Sequence, residues 1–233
     1  MRSILLLLVF GGLSCFVLDY KYEVKVAGAM RNIMQANDLS ARIALDTLAP
    51  TANLYGLGPV GGLKGEIIIM NSTPNVSSVD AGKVVTRQTA KVKAAMLVYT
   101  HVKNWQTAQL TSPIKNYAEL ERAIEKHAKA KGVDLSKPFP FLLEGKVIRA
   151  NFHVIDWQKG VAHTADNHKQ FAQSGEIKNE EVEIVGFYSN KHHSIFTHHS
   201  TNMHLHMVDK AKTVVGHLDD IELPKEITLK FPQ

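Results

Sequence analysis

Seven of the 12 histidines in this 233-residue chain fall between positions 192 and 217: His192, His193, His198, His199, His204, His206 and His217. Imidazole is the commonest metal ligand in proteins and, when neutral, a ready proton acceptor. The informative piece is Met203-His204-Leu205-His206-Met207-Val208, where apolar and imidazole side chains alternate. As a strand it turns both histidines to one face and sends Met203, Leu205 and Met207 to the other, toward a core. Asp209 to Lys212 is turn-like, and Thr213-Val214-Val215-Gly216-His217-Leu218 can return as the second strand of a hairpin. Register then decides where His217 points. Pairing it with His204 or with His206 gathers three imidazoles on one face, because directly opposed residues share a face. A slip of one residue removes His217 from the group. Three neutral imidazoles that leave open positions are how catalytic zinc is held. A lone histidine is more often a satisfied core or surface residue, and His192-His193 and His198-His199 read as loop residues, one of which could reach the pocket.

Those histidines need a scaffold, and the composition says what kind is available. With 45% hydrophobic and 21% charged residues, 15 Gly and 8 Pro, the chain is a folded globular protein rather than a disordered or fibrous one. Its single cysteine, Cys15, rules out an intramolecular disulfide and any cysteine-rich zinc module, so a metal must use His, Asp or Glu. The formal charge of +5 permits contact with nucleic acid or an anionic surface. Charges of both signs are scattered, however, and basic residues do not cluster with aromatic ones, so no nucleic-acid partner is expected.

Along the chain, Tyr20 to Val26 alternates as a strand does, and Met30 to Leu48 is more helical, with Leu39, Ile43 and Leu48 at helical spacing after an Asp38 cap. The stretch Leu54 to Glu66 carries five glycines and reads as a tight loop opening onto a buried strand, Ile67-Ile68-Ile69-Met70. It runs into a strand, not a helix, so it is no phosphate cradle, and close backbone packing is the better reading of its glycines. Ala94 to Val102 is a strand. A helix follows, with Asn116 and Glu119 in capping-box relation, Tyr117, Leu120 and Ile124 on one face, and Gly132 closing it. Lys146 to Ile155 reads as a strand with Ile148, Ala150, Phe152 and Val154 on one face and Arg149, Asn151 and His153 on the other. Val182 to Tyr188 is another. Strands outnumber helices and no internal repeat is visible, so the class is α+β and not a doubly wound parallel sheet.

The first 19 residues stand apart as a leader. Arg2 precedes an apolar run from Ile4 to Leu13, about the length of a signal-peptide core and too short to span a bilayer comfortably. Small residues before Cys15 suggest lipoprotein processing, and ordinary signal cleavage or an uncleaved anchor are the alternatives. An exported domain over residues 20–233 is expected, touching membrane only through the leader or a lipid.

Cupin barrels also use His-x-His, but they place a glutamate four or five residues further on, where this chain has Lys210 and Ala211. Three separated stretches fit elsewhere: Gly56-Leu57-Gly58 through Gly65-Glu66-Ile67-Ile68, then Val185-Gly186-Phe187-Tyr188, then His204-Leu205-His206 with Gly216-His217 after it. In that order and spacing, over roughly residues 25 to 220, they resemble the acetolactate decarboxylase family. The resemblance implies two packed mixed β-sheet halves and a zinc-dependent lyase that turns 2-acetolactate, a 2-hydroxy-3-oxo acid, into acetoin and carbon dioxide, with a homodimer left open. It implies His204, His206 and His217 as metal ligands and Glu66 as the pocket glutamate. The family's arginine position aligns with His153, and Arg149 lies four residues earlier on the same strand face, about 13 Å away at strand rise. The family's C-terminal tail returns a second glutamate to the metal, whereas Gln233 follows His217 by only 16 residues, with Glu222 and Glu226 close to the last strand. A non-catalytic metal- or small-molecule-binding protein on the same scaffold is the competing expectation.

Overall fold

The computed structural model describes residues 22–48, 51–162 and 164–233. The leader, residues 1–19, lies outside them. Among the described residues no helix is long and apolar enough to cross a membrane.

Two sheets dominate. The smaller has six strands, in the spatial order Lys25–Ala27, Leu97–His101, Leu54–Pro59, Glu66–Met70, Thr73–Asp80 and Lys83–Gln88. The larger has eight: Ala172–Lys178, Arg149–Ile155, Val215–Glu222, Met203–Asp209, Glu181–Tyr188, Phe139–Lys146, Thr228–Pro232 and Trp105–Gln109. Two sheets with few helices match the expected α+β class. The expected mixed strand directions are corrected, for every pairing within these sheets is antiparallel. Parallel neighbours would need long crossovers, whereas most sequential strands here are joined by short turns.

Each sheet buries both faces. Between the sheets, Tyr55, Leu57, Ile68 and Val98 of the smaller meet Leu142, Ile155, Val185, Phe187, Val208 and Val215 of the larger. The far face of the larger sheet is covered by the helix Tyr117–Ala130, whose Leu120, Ile124 and Ala128 pack with Phe139, Phe141, Met203, Leu205 and Met207. That helix begins as its capping box predicts, with the Asn116 side chain accepting from the Glu119 N–H at 2.9 Å. The alternation of the His-x-His segment is therefore resolved as expected, sulfur and leucine outward under the helix, imidazoles inward between the sheets.

Three local expectations change. Met30 to Leu48 is helical only over Met30–Met34 and the single turn Leu45–Thr47, because Ile43–Ala44 instead pairs with Lys93–Ala94. Leu54–Pro59 is a strand despite its glycines: a Cβ on Gly58 would lie 2.0 Å from the Met96 carbonyl oxygen, so glycine is what lets those strands pair. Lys146 to Ile155 is not continuous, since one strand ends at Lys146, the next starts at Arg149, and Ile148 is left exposed in the turn.

Candidate metal centre

Glu66 opens the strand Glu66–Met70, and it is placed by the residue before it. Gly65 has φ +135°, and a Cβ there would fall 1.8 Å from the Ser77 carbonyl oxygen, so only glycine brings the two strands this close. Pleating then puts Glu66 and Ile68 on the face toward the larger sheet, while Ile67 and Ile69 pack outward.

Opposite stands the histidine hairpin. Its register pairs His206 with His217, one of the two alignments that gather all three imidazoles. Nε2 of His204 lies 3.2 Å from Nε2 of His206 and 3.1 Å from Nδ1 of His217. Around a tetrahedral ion with metal–nitrogen bonds of about 2.0–2.1 Å, ligand nitrogens sit about 3.3 Å apart, so the spacing fits a metal. The donor chemistry fits as well. His204 Nδ1 donates to the Phe196 carbonyl and His206 Nδ1 to the Ile67 carbonyl, each at 2.8 Å, which leaves the lone pair of both Nε2 atoms aimed at the common centre. Burial holds the His204 imidazole down to about 4 and those of His206 and His217 well below the ordinary value, so all three are neutral and could ligate a metal.

The Glu66 carboxylate reaches to 3.6 Å from His206 Nε2 and accepts from the Ile155 N–H at 3.4 Å. Burial pushes its pKa up to about 7, against the pull of His153 and that N–H. A cavity of about 280 Å³ opens beside it, walled by Ile33, Leu63, Met96 and Ile155 and reached by His153 and His198. A second hollow of about 320 Å³ adjoins through His204 and His217 and carries Tyr117 and Asp219. Of the two histidine pairs read as loop residues, His198 does reach the cavity, while His192 bonds the Ser189 hydroxyl and His193 the Asn202 side chain.

His153 and Arg149 share a strand face, and the structure separates them. His153 lies directly opposite His217, with ring centroids 4.8 Å apart, and its Nδ1 donates to Asp219 Oδ1 at 2.8 Å. Burial works against the His153 charge, but the Asp219 hydrogen bond and carboxylate outweigh it and hold the pKa above the usual imidazole value. Asp219 is there because of a β-bulge: Phe152 faces Leu218 while Asn151 faces Asp220, so Asp219 is the extra residue and turns back toward the site. Arg149 does not join them. Its guanidinium is tied to Glu222 at 2.8 Å and to Asp220 at 3.2 Å, outside both hollows. Glu222 is thus occupied by Arg149, Glu226 is exposed, and the last strand, Thr228–Pro232, lies four places from Val215–Glu222 in the sheet.

Sequence reasoning missed Asp219 and His168. The alternation of His217 and Asp219 on one strand was a usable signal for the first; the second stands on a short helix after a loop, with nothing local to mark it.

No curated protein matches the chain in sequence. Solved structures share its fold. The alpha-acetolactate decarboxylase of Bacillus subtilis strain 168 superposes with a TM-score of 0.71 at 14% identity, covering 90% of this chain and 85% of that one. A Staphylococcus aureus protein of unknown function, described as similar to alpha-acetolactate decarboxylase, gives 0.69 at 14% identity, over 89% and 84% of the two chains. The sequence model of the alpha-acetolactate decarboxylase family matches residues 27–233, which takes in all but the first edge strand of the two sheets and every residue of the site, and the chain belongs to that family.

Proposed function

We propose that the protein is a zinc-dependent carboxy-lyase converting 2-acetolactate to acetoin and carbon dioxide. One observation carries the reading: three converging neutral imidazoles with the buried Glu66 carboxyl beside them, at the wall of an apolar cavity. His204, His206 and His217 would hold the ion. Zinc bound there supplies Lewis-acid charge where negative charge develops as carbon dioxide leaves a 2-hydroxy-3-oxo acid. The protein does the rest. Carbonyls of Phe196 and Ile67 fix two of the rings, so the ligands need no reorganisation during turnover. Leu63, Met96 and Ile155 exclude water from the reacting carbons. Glu66, with its carboxyl raised to about 7, holds a proton part of the time near neutrality and so can take one from the substrate hydroxyl or return one to carbon. His153, braced by Asp219, faces the same cavity, and the family resemblance aligns its position with an arginine.

The test is acetoin formation by zinc-loaded protein from fresh racemic 2-acetolactate, measured against the spontaneous rate. Acceleration is expected, and Glu66→Gln should cut it by about 10²–10⁴-fold while zinc stays bound. Replacement of the family arginine by His153 favours a second reading, a non-catalytic metal- or small-molecule-binding protein, and an unaccelerated reaction would select it. Export rests on the apolar run Ile4 to Leu13 behind Arg2 and the small residues before Cys15. The mass of the protein from its native host tests that: loss of residues 1–14 or a lipid on Cys15 is expected, and an intact Met1 in the cytosol rejects it.

A further inference from the structure

One polar side chain in the cavity has no part in that chemistry. His168 lies on the helix Ala165–Gln170, which the Thr164 hydroxyl caps by accepting from the Asn167 N–H at 3.2 Å. The helix is seated on the sheet at its far end, where the Asp156 N–H donates to the Phe171 carbonyl at 2.7 Å and the Phe171 ring meets Trp157 edge-on. So placed, Nε2 of His168 comes within 3.4 Å of Nε2 of His153, and both rings line the cavity that also holds Glu66, His204 and His217. Because His153 Nδ1 carries the proton given to Asp219, its Nε2 is an acceptor in the neutral pair. The proton between the two rings is then assigned to Nε2 of His168.

A 2-hydroxy-3-oxo acid brings two kinds of oxygen into this space. Its adjacent hydroxyl and carbonyl oxygens suit a metal held by the three ligands. Its carboxylate needs N–H donors, because a buried anion without them is costly. Glu66 is the wrong sign for that task, Ile33, Leu63 and Met96 have nothing to donate, the His153 Nδ1–H is spent on Asp219, and His198 is solvent-exposed with its Nδ1 on the Ser200 hydroxyl. We infer that His168 is a substrate-binding residue whose Nε2–H exchanges its His153 acceptor for the substrate carboxylate, with the edge-on His153 ring, 5.2 Å away between centroids, positioning it. The same contact distinguishes substrate from product. Loss of carbon dioxide removes the group His168 binds, so the neutral hydroxyketone keeps only its oxygen contacts and is released. This deepens the decarboxylase reading and rests on it for the identity of the acid.

The test is a calorimetric titration of the zinc-loaded full chain with 2,3-dihydroxy-2-methylbutanoate, which has the ketone reduced and cannot lose carbon dioxide in the same way, and with butane-2,3-diol, which lacks the carboxylate. His168→Ala should weaken the acid about tenfold or more and leave the diol unchanged, since hydrogen bonds to charged groups are among the stronger ones. Zinc content should not move. His168→Gln keeps an N–H donor and should recover part of the loss. Equal weakening of acid and diol, an unchanged acid affinity, or a glutamine variant no better than alanine would each overturn the inference. Failure of the two ideas is separable: no acetoin with an acid-specific loss in His168→Ala rejects the decarboxylase alone, and normal acetoin formation with an unaltered acid affinity rejects the role of His168 alone.

Discussion

The strands Arg149–Ile155 and Val215–Glu222 pair side by side, and one face of that pair ends in two different chemistries. At one end Arg149 sits between Glu222 and Asp220, and the N–H of Tyr117, at the start of the long helix, donates to Asp220 at 3.0 Å. At the other, about four residues along, His153 faces His217 with Asp219 behind it. The backbone is common to both ends, so strand geometry does not explain the contrast. Cover does. The Arg149 group keeps access to water and its charges are solvated, whereas the histidine end lies beneath Glu66–Met70 of the smaller sheet, where burial strips the three ligands of their protons. The bulge at Asp219 marks the boundary, adding one residue so that a carboxylate reaches inward without disturbing the ion pairs beyond it. A polar face becomes a candidate metal centre where a second layer covers it, and stays a solvated ion network where none does.

The contrast breaks first at the covered end. His204→Ala with His206→Ala leaves a single imidazole, and zinc measured by elemental analysis should fall from stoichiometric to trace, taking acetoin formation to the spontaneous rate. Equal zinc in this variant and the parent would refute the site. Asp219→Asn is a gentler intrusion, removing the brace of His153 while keeping all three ligands. A fall of about tenfold in kcat/KM with zinc retained is expected, at the lower end of what supporting partners of a metal site contribute. Acid should then find the same end in the metal-free protein. His204 titrates at about 4 when folded against an ordinary 6.5, so between those values the unfolded chain binds more protons and stability falls as pH drops. His206 and His217 act in the same direction. Glu66, raised from 4.5 to about 7, acts in the opposite direction across its own window, and His153, held above its ordinary value, does so at the upper end of the range, two groups against three. Tm of metal-stripped protein should therefore decline between pH 7 and 4.5, and less steeply in His206→Gln; a flat profile would contradict the burial of neutral ligands. Smallest is Arg149→Ala at the open end, which should alter kcat/KM by under about twofold, as exposed ion pairs usually contribute little. A large loss there would mean that the two ends are coupled.

How far these features could be read from the residues depends on the range of the interaction behind them. Alternation over Met203 to Val208 and the Asn116–Glu119 cap are local patterns, and both appear in the fold as the spacing predicts. The strand Leu54–Pro59 was hidden because Gly56 and Gly58 lower β propensity, and the need for them lies about forty residues on, where a Cβ at Gly58 would collide with the Met96 carbonyl and one at Gly56 would press on Tyr99 at 3.0 Å. Helical spacing over Met30 to Leu48 gave way to pairing of Ile43–Ala44 with Lys93–Ala94, a tertiary preference with no local signature. In the site, His217 could be joined to His204 and His206 by hairpin register alone. Glu66 came only through the family resemblance, because its neighbour His206 is 140 positions away. Asp219 shares the alternation of His217 but its place also depends on a bulge, and His168 depends on the packing of a loop that leaves no period in the sequence.

Two of the three ligand rings are oriented by backbone carbonyls, those of Ile67 and Phe196, and not by side chains. A point mutation cannot delete a carbonyl. Positions 67 and 196 are therefore free to drift among residues that keep the strand and the turn, and the rings they aim will hold their direction. The orientation of the centre is inherited with the path of the chain, which makes it far more tolerant of sequence divergence than the identity of the ligands themselves.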